Sequence, residues 1–217
     1  MTLISQIDDP KGIERESFAI IDSEIAEPRP FSGAQWQVAR RLLHTSADYE
    51  LLEHIRFHPR AVEAGLEALR AGATVATDTR MALEGISAWR RGALGFGARC
   101  FMTDQGVVED AARLGCTRAK LGMDRALRLP GPLIFAIGNA PTALLRLLEL
   151  IESDPGAVKL IVGMPVGFVN AAQSKDLLMR QSAIPYISIE GRKGGSALAA
   201  ATVNALAEIL LNDRSVD

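Results

Sequence analysis

The sequence predicts a three-layer α/β/α fold of the flavodoxin-like type, with a parallel sheet of about five strands. Short apolar runs alternate along the chain with longer helical patterns, which is typical of repeated strand-helix units joined by right-handed crossovers. Three successive predicted strands end in glycine-rich loops, at residues 138–140, 163–167 and 191–196. Because the chain has 217 residues and 48% hydrophobic content, we expect one domain over residues 1–217.

The first half of the chain predicts mainly helices. If residues 13–21 are helical, Ile13, Ser17, Ile20 and Ile21 lie on one face. After that segment we expect helices over residues 32–43 and 59–70 and a strand over 74–77. A helix over 78–86 follows, with Asp78 as its N-cap, and then a flexible glycine-rich connection over 90–97.

The second half predicts a regular alternation of strands and helices. Its clearest strand is the β-branched run at residues 158–162, which has the composition of a strand buried on both faces. The pattern predicts strands over residues 98–102, 132–137, 158–162 and 184–189, with helices over 107–114, from 117, from 141, from 170 and over 197–211.

Charge and cysteine content exclude several classes of protein. With 24 basic and 26 acidic residues the formal net charge is −2, which favours neither nucleic acid nor an anionic membrane as a partner. Cys100 and Cys116 lack the spacing of a metal site or a disulfide framework. The N-terminus does not resemble a signal peptide, and no apolar run is long enough to span a bilayer. We therefore expect a cytoplasmic protein without a bound metal.

The segment Gly163 to Lys175 predicts a ligand-facing loop. It follows a buried strand and contains Gly163, Pro165 and Gly167 before a helix begins near Asn170. In open α/β sheets ligands bind outside the carboxyl ends of the strands, and unpaired N–H groups at a helix N-terminus attract anions. The segment is therefore a candidate carboxylate cradle, although an ordinary tight turn between strand and helix explains the same residues.

His44 is the candidate for proton transfer. It is predicted to lie just past a helix C-terminus, followed by Thr45, Ser46 and Asp48, which could fix its tautomer and set its pKa near neutrality. A histidine that only caps the helix through its dipole is the alternative. Arg118, at the start of another helical pattern, could bind an anion or could be an ordinary solvated cation.

Five motifs in order along the chain resemble the precorrin-8X methylmutase family, which includes the cobalt-precorrin-8 methylmutases of corrinoid biosynthesis. The resemblance covers residues 13–211. The motifs are E-R-x-S-F at residues 14–18, the helix-ending His44, G-N-A-P-T-A-L at 138–144, G-M-P-V-G-F-V-x-A-A-x-S-K at 163–175 and G-R-K-G-G-S-A at 191–197. Thr117 and Arg118 match a further family motif, although Ala119 and Lys120 depart from the small residues that usually continue it.

The resemblance implies a cofactor-free isomerase with a flavodoxin-like fold, acting as a homodimer with active sites at the subunit interface. The implied reaction is a 1,5-sigmatropic shift that moves a methyl group from C-11 to C-12 of precorrin-8X or cobalt-precorrin-8, giving hydrogenobyrinate or its cobalt counterpart. In the family a histidine matching His44 donates and accepts the proton, and a serine matching Ser17 contacts the substrate.

Such a substrate is a flat apolar ring that bears several carboxylates, so it suits an apolar cleft with hydrogen-bond donors and cations around its rim. We expect Ser17 and Ser87 to orient His44 or the ring, and Arg118 and Arg192 to be the most important cations. The full set of expected substrate-binding residues is Arg15, Ser17, Ser87, Arg118, Gly138, Asn139, Ala140, Gly163, Gly167, Arg192, Lys193, Gly194, Gly195 and Ser196.

Two other functions fit the same sequence. A tetrapyrrole-binding carrier without turnover would need the loops but not His44. A nucleotide- or flavin-binding protein would suit the fold, but the chain lacks a complete phosphate-binding fingerprint. A hydrolase of the G-x-S-x-G type is excluded by the absence of that motif.

Overall fold

A computed structural model of the protein describes residues 9–153 and 155–214. The first eight residues, on which the expectation of no signal peptide rests, lie outside this range. The described chain forms one six-stranded sheet with helices packed on both faces, which confirms the α/β prediction. Across the described residues, no helix is both long and apolar enough to cross a membrane.

The sheet has the strand order of a flavodoxin-like fold. Its strands are β1 (Ile55–Phe57), β2 (Thr74–Thr77), β3 (Gly97–Cys100), β4 (Leu133–Ile137), β5 (Val158–Gly163) and β6 (Tyr186–Ile189). They are arranged β1-β6-β5-β4-β2-β3. All neighbouring pairs are parallel except β1 and β6. Without β1, the five parallel strands have the doubly wound order whose ligand crevice lies between β2 and β4.

Helices connect the strands and cover the sheet. Within the described residues they are α1 (Pro10–Glu24), α2 (Gly33–Ser46), α3 (Leu51–His54), α4 (Ala61–Arg70), α5 (Arg80–Gly85), α6 (Ala88–Leu94), α7 (Gln105–Leu114), α8 (Arg118–Ala126), α9 (Pro141–Ser153), α10 (Ala171–Arg180) and α11 (Ser196–Arg214).

The core lies in two layers, one on each face of the sheet. All five residues of β4 are buried, and successive side chains of a strand point to opposite faces. Ile134 and Ala136 accordingly pack in the layer formed with α2, α4 and α11. Leu133, Phe135 and Ile137 pack in the layer formed with α8, α9 and α10. The central strands are therefore covered on both sides, and their carboxyl ends and the loops that follow lie at one edge.

Two expectations about local structure differ from what is observed here, and one strand was missed. The glycine-rich stretch expected to be a flexible connection contains α6, whose N-cap Ser87 accepts a hydrogen bond from the Arg90 N–H. The N-cap of α5 is Thr79 rather than Asp78. The short strand β1 was not expected, because three residues are too few to show a periodic pattern.

Candidate active site

His44 lies in the last turn of α2, not beyond it. The helix was expected to end at residue 43, but it continues to Ser46. The Thr45 hydroxyl donates to the Arg41 carbonyl at 2.8 Å, and the Ser46 hydroxyl donates to the Leu42 carbonyl at 3.0 Å. Both hydroxyls thus bond back along the helix, so they are not the partners of the imidazole that the sequence suggested. His44 itself is exposed.

An aromatic contact positions the imidazole. The Phe18 ring of α1 meets the His44 ring edge to face, with 5.3 Å between centroids and an angle of 65° between the planes. The guanidinium groups of Arg40 and Arg41 lie 4.4 and 4.7 Å from the Phe18 centroid, which is cation–π range. Arg41 also pairs with Glu14 and lowers the pKa of that carboxyl below its usual range. These contacts join α1 to α2 beside His44.

His44 and Ser17 line the same cleft. Its volume is about 340 Å³, and its walls are mostly apolar, formed by Ser17, Ile20, Ile21, Leu43, His44, Ala47 and Tyr49. The Ser17 hydroxyl donates to the Ile13 carbonyl at 2.8 Å, which leaves its lone pairs free to accept a hydrogen bond. Tyr49 bonds to Glu24, and this carboxylate raises the pKa of the phenol. The cleft therefore combines one imidazole, two hydroxyls and an apolar wall.

Lys193 connects the β6 loop to the segment after His44. Its ammonium lies 2.6 Å from the Asp48 carboxylate and 2.7 Å from that of Glu50, and these two partners raise its pKa. Lys193 was expected to be a cation available to the substrate. In the structure two carboxylates already balance its charge, and its visible role is to hold the end of α2 against the carboxyl edge of the sheet.

Lys175 binds the backbone of the β6 loop. Its side chain is fully buried, and its ammonium donates to the Lys193 carbonyl at 2.6 Å. Burial lowers the pKa of Lys175 to about 8, because removal from water disfavours the charged form. Lys175 therefore fixes the backbone whose side chain reaches Asp48.

The β5 loop presents apolar side chains to solvent. Phe168 and Val169 are 82% and 79% exposed, and Val166 is also exposed. The Arg192 guanidinium lies 5.4 Å from the Phe168 centroid. The Gly167 N–H donates to the Arg192 carbonyl at 3.2 Å, so this amide is not free for a ligand. Sequence reasoning selected the glycines of this loop and missed Phe168, although a large apolar residue inside a glycine-rich loop was a usable signal.

The amides of the β4 loop are also occupied. Gly138, Asn139 and Ala140 were expected to bind substrate, with loop amides as the donors. Their N–H groups instead donate to the carboxylate of Asp78, at 2.9, 2.8 and 2.6 Å. Asp78 was missed because its bonds reach about 60 residues along the chain. The Asn139 side chain remains exposed at the loop surface.

The glycines of the β5 and β6 loops allow close packing between loops. A Cβ on Gly194 would lie 2.2 Å from the Met164 carbonyl oxygen of the β5 loop. A Cβ on Gly163, the last residue of β5, would lie 2.3 Å from Leu178 of α10, so this glycine lets the helix pack against the strand. The Gly195 N–H donates to the Met164 carbonyl at 2.9 Å. Ser196 is buried and shares a 2.8 Å hydrogen bond with Thr79. The structure therefore brings together the predicted loops, mainly through contacts with each other.

Three further residues were expected to bind substrate, namely Arg118, Arg15 and Ser87. Arg118 is exposed at the start of α8, and the adjacent Thr117 shares a 2.9 Å hydrogen bond with Thr142 of α9, which places Arg118 near the β4 loop. Arg15 is exposed on α1 and pairs with Asp9 at 3.9 Å. Ser87 caps α6 and does not line the cleft beside His44.

Comparison with known proteins identifies the family. The precorrin-8X methylmutase family profile matches residues 12–209. A cobalt-precorrin-8 methylmutase from Priestia megaterium is 42% identical over 91% of this chain and 87% of its own length. A precorrin-8X methylmutase from Pseudomonas aeruginosa is 39% identical over 94% of this chain and 98% of its own. A solved precorrin-8x methyl mutase from Thermus thermophilus superposes with a TM-score of 0.85 at 40% identity, covering 94% of this chain and 97% of that one. The chain therefore belongs to the precorrin-8X methylmutase family.

Proposed function

We propose that the chain moves a methyl group from C-11 to C-12 of precorrin-8X, or of its cobalt-containing counterpart, with His44 as the proton donor and acceptor. Its family makes it an isomerase of cobalamin biosynthesis that shifts a methyl group within a tetrapyrrole precursor. We further propose that residues 1–217 form one domain and that the enzyme works in the cytoplasm.

The observation that carries the proposal is the shared cleft of His44 and Ser17. The imidazole is exposed at an apolar wall and is held at one side by the Phe18 ring. A flat macrocycle can lie against such a wall with a ring nitrogen or a peripheral group near the imidazole. Proton donation from the imidazole makes the conjugated ring more electron-poor, which eases migration of the methyl group. The Ser17 hydroxyl lies in the same cleft to orient the ring.

Cations and an open helix terminus support binding of the substrate carboxylates. Arg118 and Arg192 are exposed near the loops, and an arginine can bind a carboxylate through two parallel hydrogen bonds. Asn170, at the N-cap position of α10, makes no side-chain hydrogen bond to that helix. A carboxylate at this terminus would meet a favourable helix dipole. The exposed Phe168 ring beside Arg192 offers an apolar surface for the macrocycle.

The direct test is incubation of the purified protein with precorrin-8X and, separately, with cobalt-precorrin-8. We expect the visible spectrum of the rearranged corrinoid to develop with one or both, at a rate proportional to enzyme concentration, since methyl migration changes the conjugation of the ring. The control is the same incubation with heat-denatured protein. Tight binding of both compounds without any spectral conversion would contradict the proposal and would indicate a carrier.

We also propose that two copies of the chain form the working enzyme and that each site uses residues of both. Large apolar side chains are exposed near the cleft and at the β5 loop, and burial of such a surface drives association. They are Ile13, Ile20, Tyr49, Val166, Phe168 and Val169. The cleft next to His44 is open to solvent, and Ile20 and Tyr49 are among its lining residues.

Mixing two inactive variants tests this arrangement. In a dimer formed from a His44→Ala subunit and an Arg192→Ala subunit, one of the two shared sites has both residues intact. Random pairing should then restore about a quarter of the wild-type activity. The control is each variant mixed with itself. If the mixture is no more active than its components while mixed dimers form, His44 and Arg192 of one site come from the same subunit, and the proposed sharing of these two residues is wrong.

A further inference from the structure

The crevice between β2 and β4 is filled by a side chain of the protein itself. In doubly wound sheets this is the place where ligands bind. Here the Asp78 side chain, which is 1% exposed, follows β2 directly and enters the turn that follows β4. One carboxylate oxygen accepts a hydrogen bond from Gly138 at 2.9 Å, and the other accepts from Asn139 at 2.8 Å and Ala140 at 2.6 Å.

These hydrogen bonds have the geometry of an anion site. Three consecutive N–H groups point at one carboxylate, and α9 begins immediately afterwards at Pro141. The positive end of the helix dipole therefore adds to the three donors. Burial raises the pKa of Asp78, and the backbone N–H donors oppose this by stabilising the ionised form. Because both oxygens accept from N–H groups, the carboxylate is the form that fits the turn.

Thr79 extends this connection to a second loop. Its hydroxyl lies 2.8 Å from the Ser196 hydroxyl and also accepts from the Ala82 N–H at 3.1 Å. The β4 and β6 loops also touch directly, because a Cβ on Gly138 would lie 2.5 Å from the Cα of Ser196. Asp78 and Thr79, which follow β2, thus bind the β4 loop and the β6 loop and hold them together.

We propose that Asp78 is a positioning residue for substrate binding, whose carboxylate takes the place of a ligand anion and holds the β4 loop in its substrate-facing shape. The inference rests on the proposed function. It also specifies how the substrate meets this loop. The three amides face inward to Asp78, so substrate contacts come from outward groups such as the exposed Asn139 side chain. Carboxylates of the substrate do not enter the crevice.

The test removes the carboxylate and supplies it again from solution. Asp78→Ala leaves a small space in front of the three N–H donors, and formate has the same carboxylate group. We expect the variant to raise KM about tenfold or more while kcat changes less than about threefold, because His44 lies on a different element. Added formate should raise the Tm of this variant and lower its KM toward the wild-type value. Chloride at the same ionic strength should do neither.

Asp78→Asn is the second variant, in case Asp78→Ala does not fold. It keeps the volume of the side chain but turns an NH2 group toward at least one N–H donor. We expect it to raise KM as well and to be insensitive to formate, since the space is already filled. A KM within about twofold of wild type in a folded variant overturns the proposal. A formate-dependent rise in Tm without recovery of KM also overturns it, leaving Asp78 a purely structural role.

This experiment separates the inference from the proposed function. If the wild-type protein neither binds nor converts precorrin-8X or its cobalt form, the proposed function fails and the role of Asp78 in substrate binding fails with it. The formate effect on the Tm of Asp78→Ala would still report that a carboxylate fills the crevice. If wild type is active and only the formate and KM results are negative, the inference about Asp78 alone is wrong.

Discussion

Replacing His44 with alanine should slow turnover strongly while leaving the ring bound. General acid–base catalysis by one positioned side chain contributes about 10²- to 10⁴-fold to a rate, so we expect the rate of methyl migration to fall by that factor. Affinity for the rearranged corrinoid should change little, because the cleft wall is formed mainly by apolar residues. Single-turnover spectra and equilibrium titration with the product measure the two quantities separately.

Two controls make the His44 result specific. His58→Gln alters a histidine that meets the Tyr186 ring edge to face and does not line the cleft, so the rate should stay at the wild-type level. Since His44 is exposed, free imidazole should reach the space left by His44→Ala and restore part of the rate. If His44→Ala converts substrate as fast as wild type, another residue transfers the proton. If wild type binds the ring but does not convert it, the protein is a carrier.

Gly138→Ala should disrupt the carboxyl edge of the sheet. A Cβ at this position would lie 2.5 Å from the Ser196 Cα, 2.6 Å from the Ser196 N and 2.7 Å from the Gly195 carbonyl oxygen. All three are backbone atoms, so no change of rotamer relieves the overlap, and the two loops must separate. We expect the free energy of unfolding in urea to fall by about 3 kcal/mol or more, with loss of substrate binding.

Gly92→Ala is the matched control for this substitution. Gly92 lies within α6, and a Cβ added there meets no other atom within 4 Å. Alanine should stabilise this helix by up to about 1 kcal/mol, because glycine is the poorer helix former. If Gly138→Ala unfolds at the same urea concentration as wild type, the close contact between the β4 and β6 loops is not part of the folded protein in solution.

Much of the fold could be predicted from local sequence. The strand expected at residues 74–77 is β2, and the run at 158–162 is β5 with one further residue. Both are short, mostly buried segments rich in β-branched residues, and their composition suffices to identify them. The end of α2 could not be located in the same way. Thr45 and Ser46 are common helix terminators in sequence, yet here their hydroxyls bond to helix carbonyls.

The residues and loops that form the candidate site could be predicted from the sequence. The contacts between those loops could not. His44 and Ser17 share a cleft, and the three glycine-rich loops meet at one edge. The partners of Lys193 were not predictable, because Asp48 lies 145 residues away along the chain. Asp78 and the β4 loop are similarly distant in sequence. Local patterns report which residue types follow a strand, whereas pairing between distant loops depends on the folded topology.

The small strand β1 has a consequence for the behaviour of the chain at high concentration. It runs antiparallel along β6, whose residues Ile187 and Ile189 are fully buried. Without this cover, β6 would offer unpaired backbone groups and an apolar surface to another chain. The opposite border, β3, instead carries the exposed charge of Arg99 and an exposed Gly97. The two edges of the sheet are thus protected against aggregation in different ways, one by the short strand β1 and the other by the exposed charge on β3.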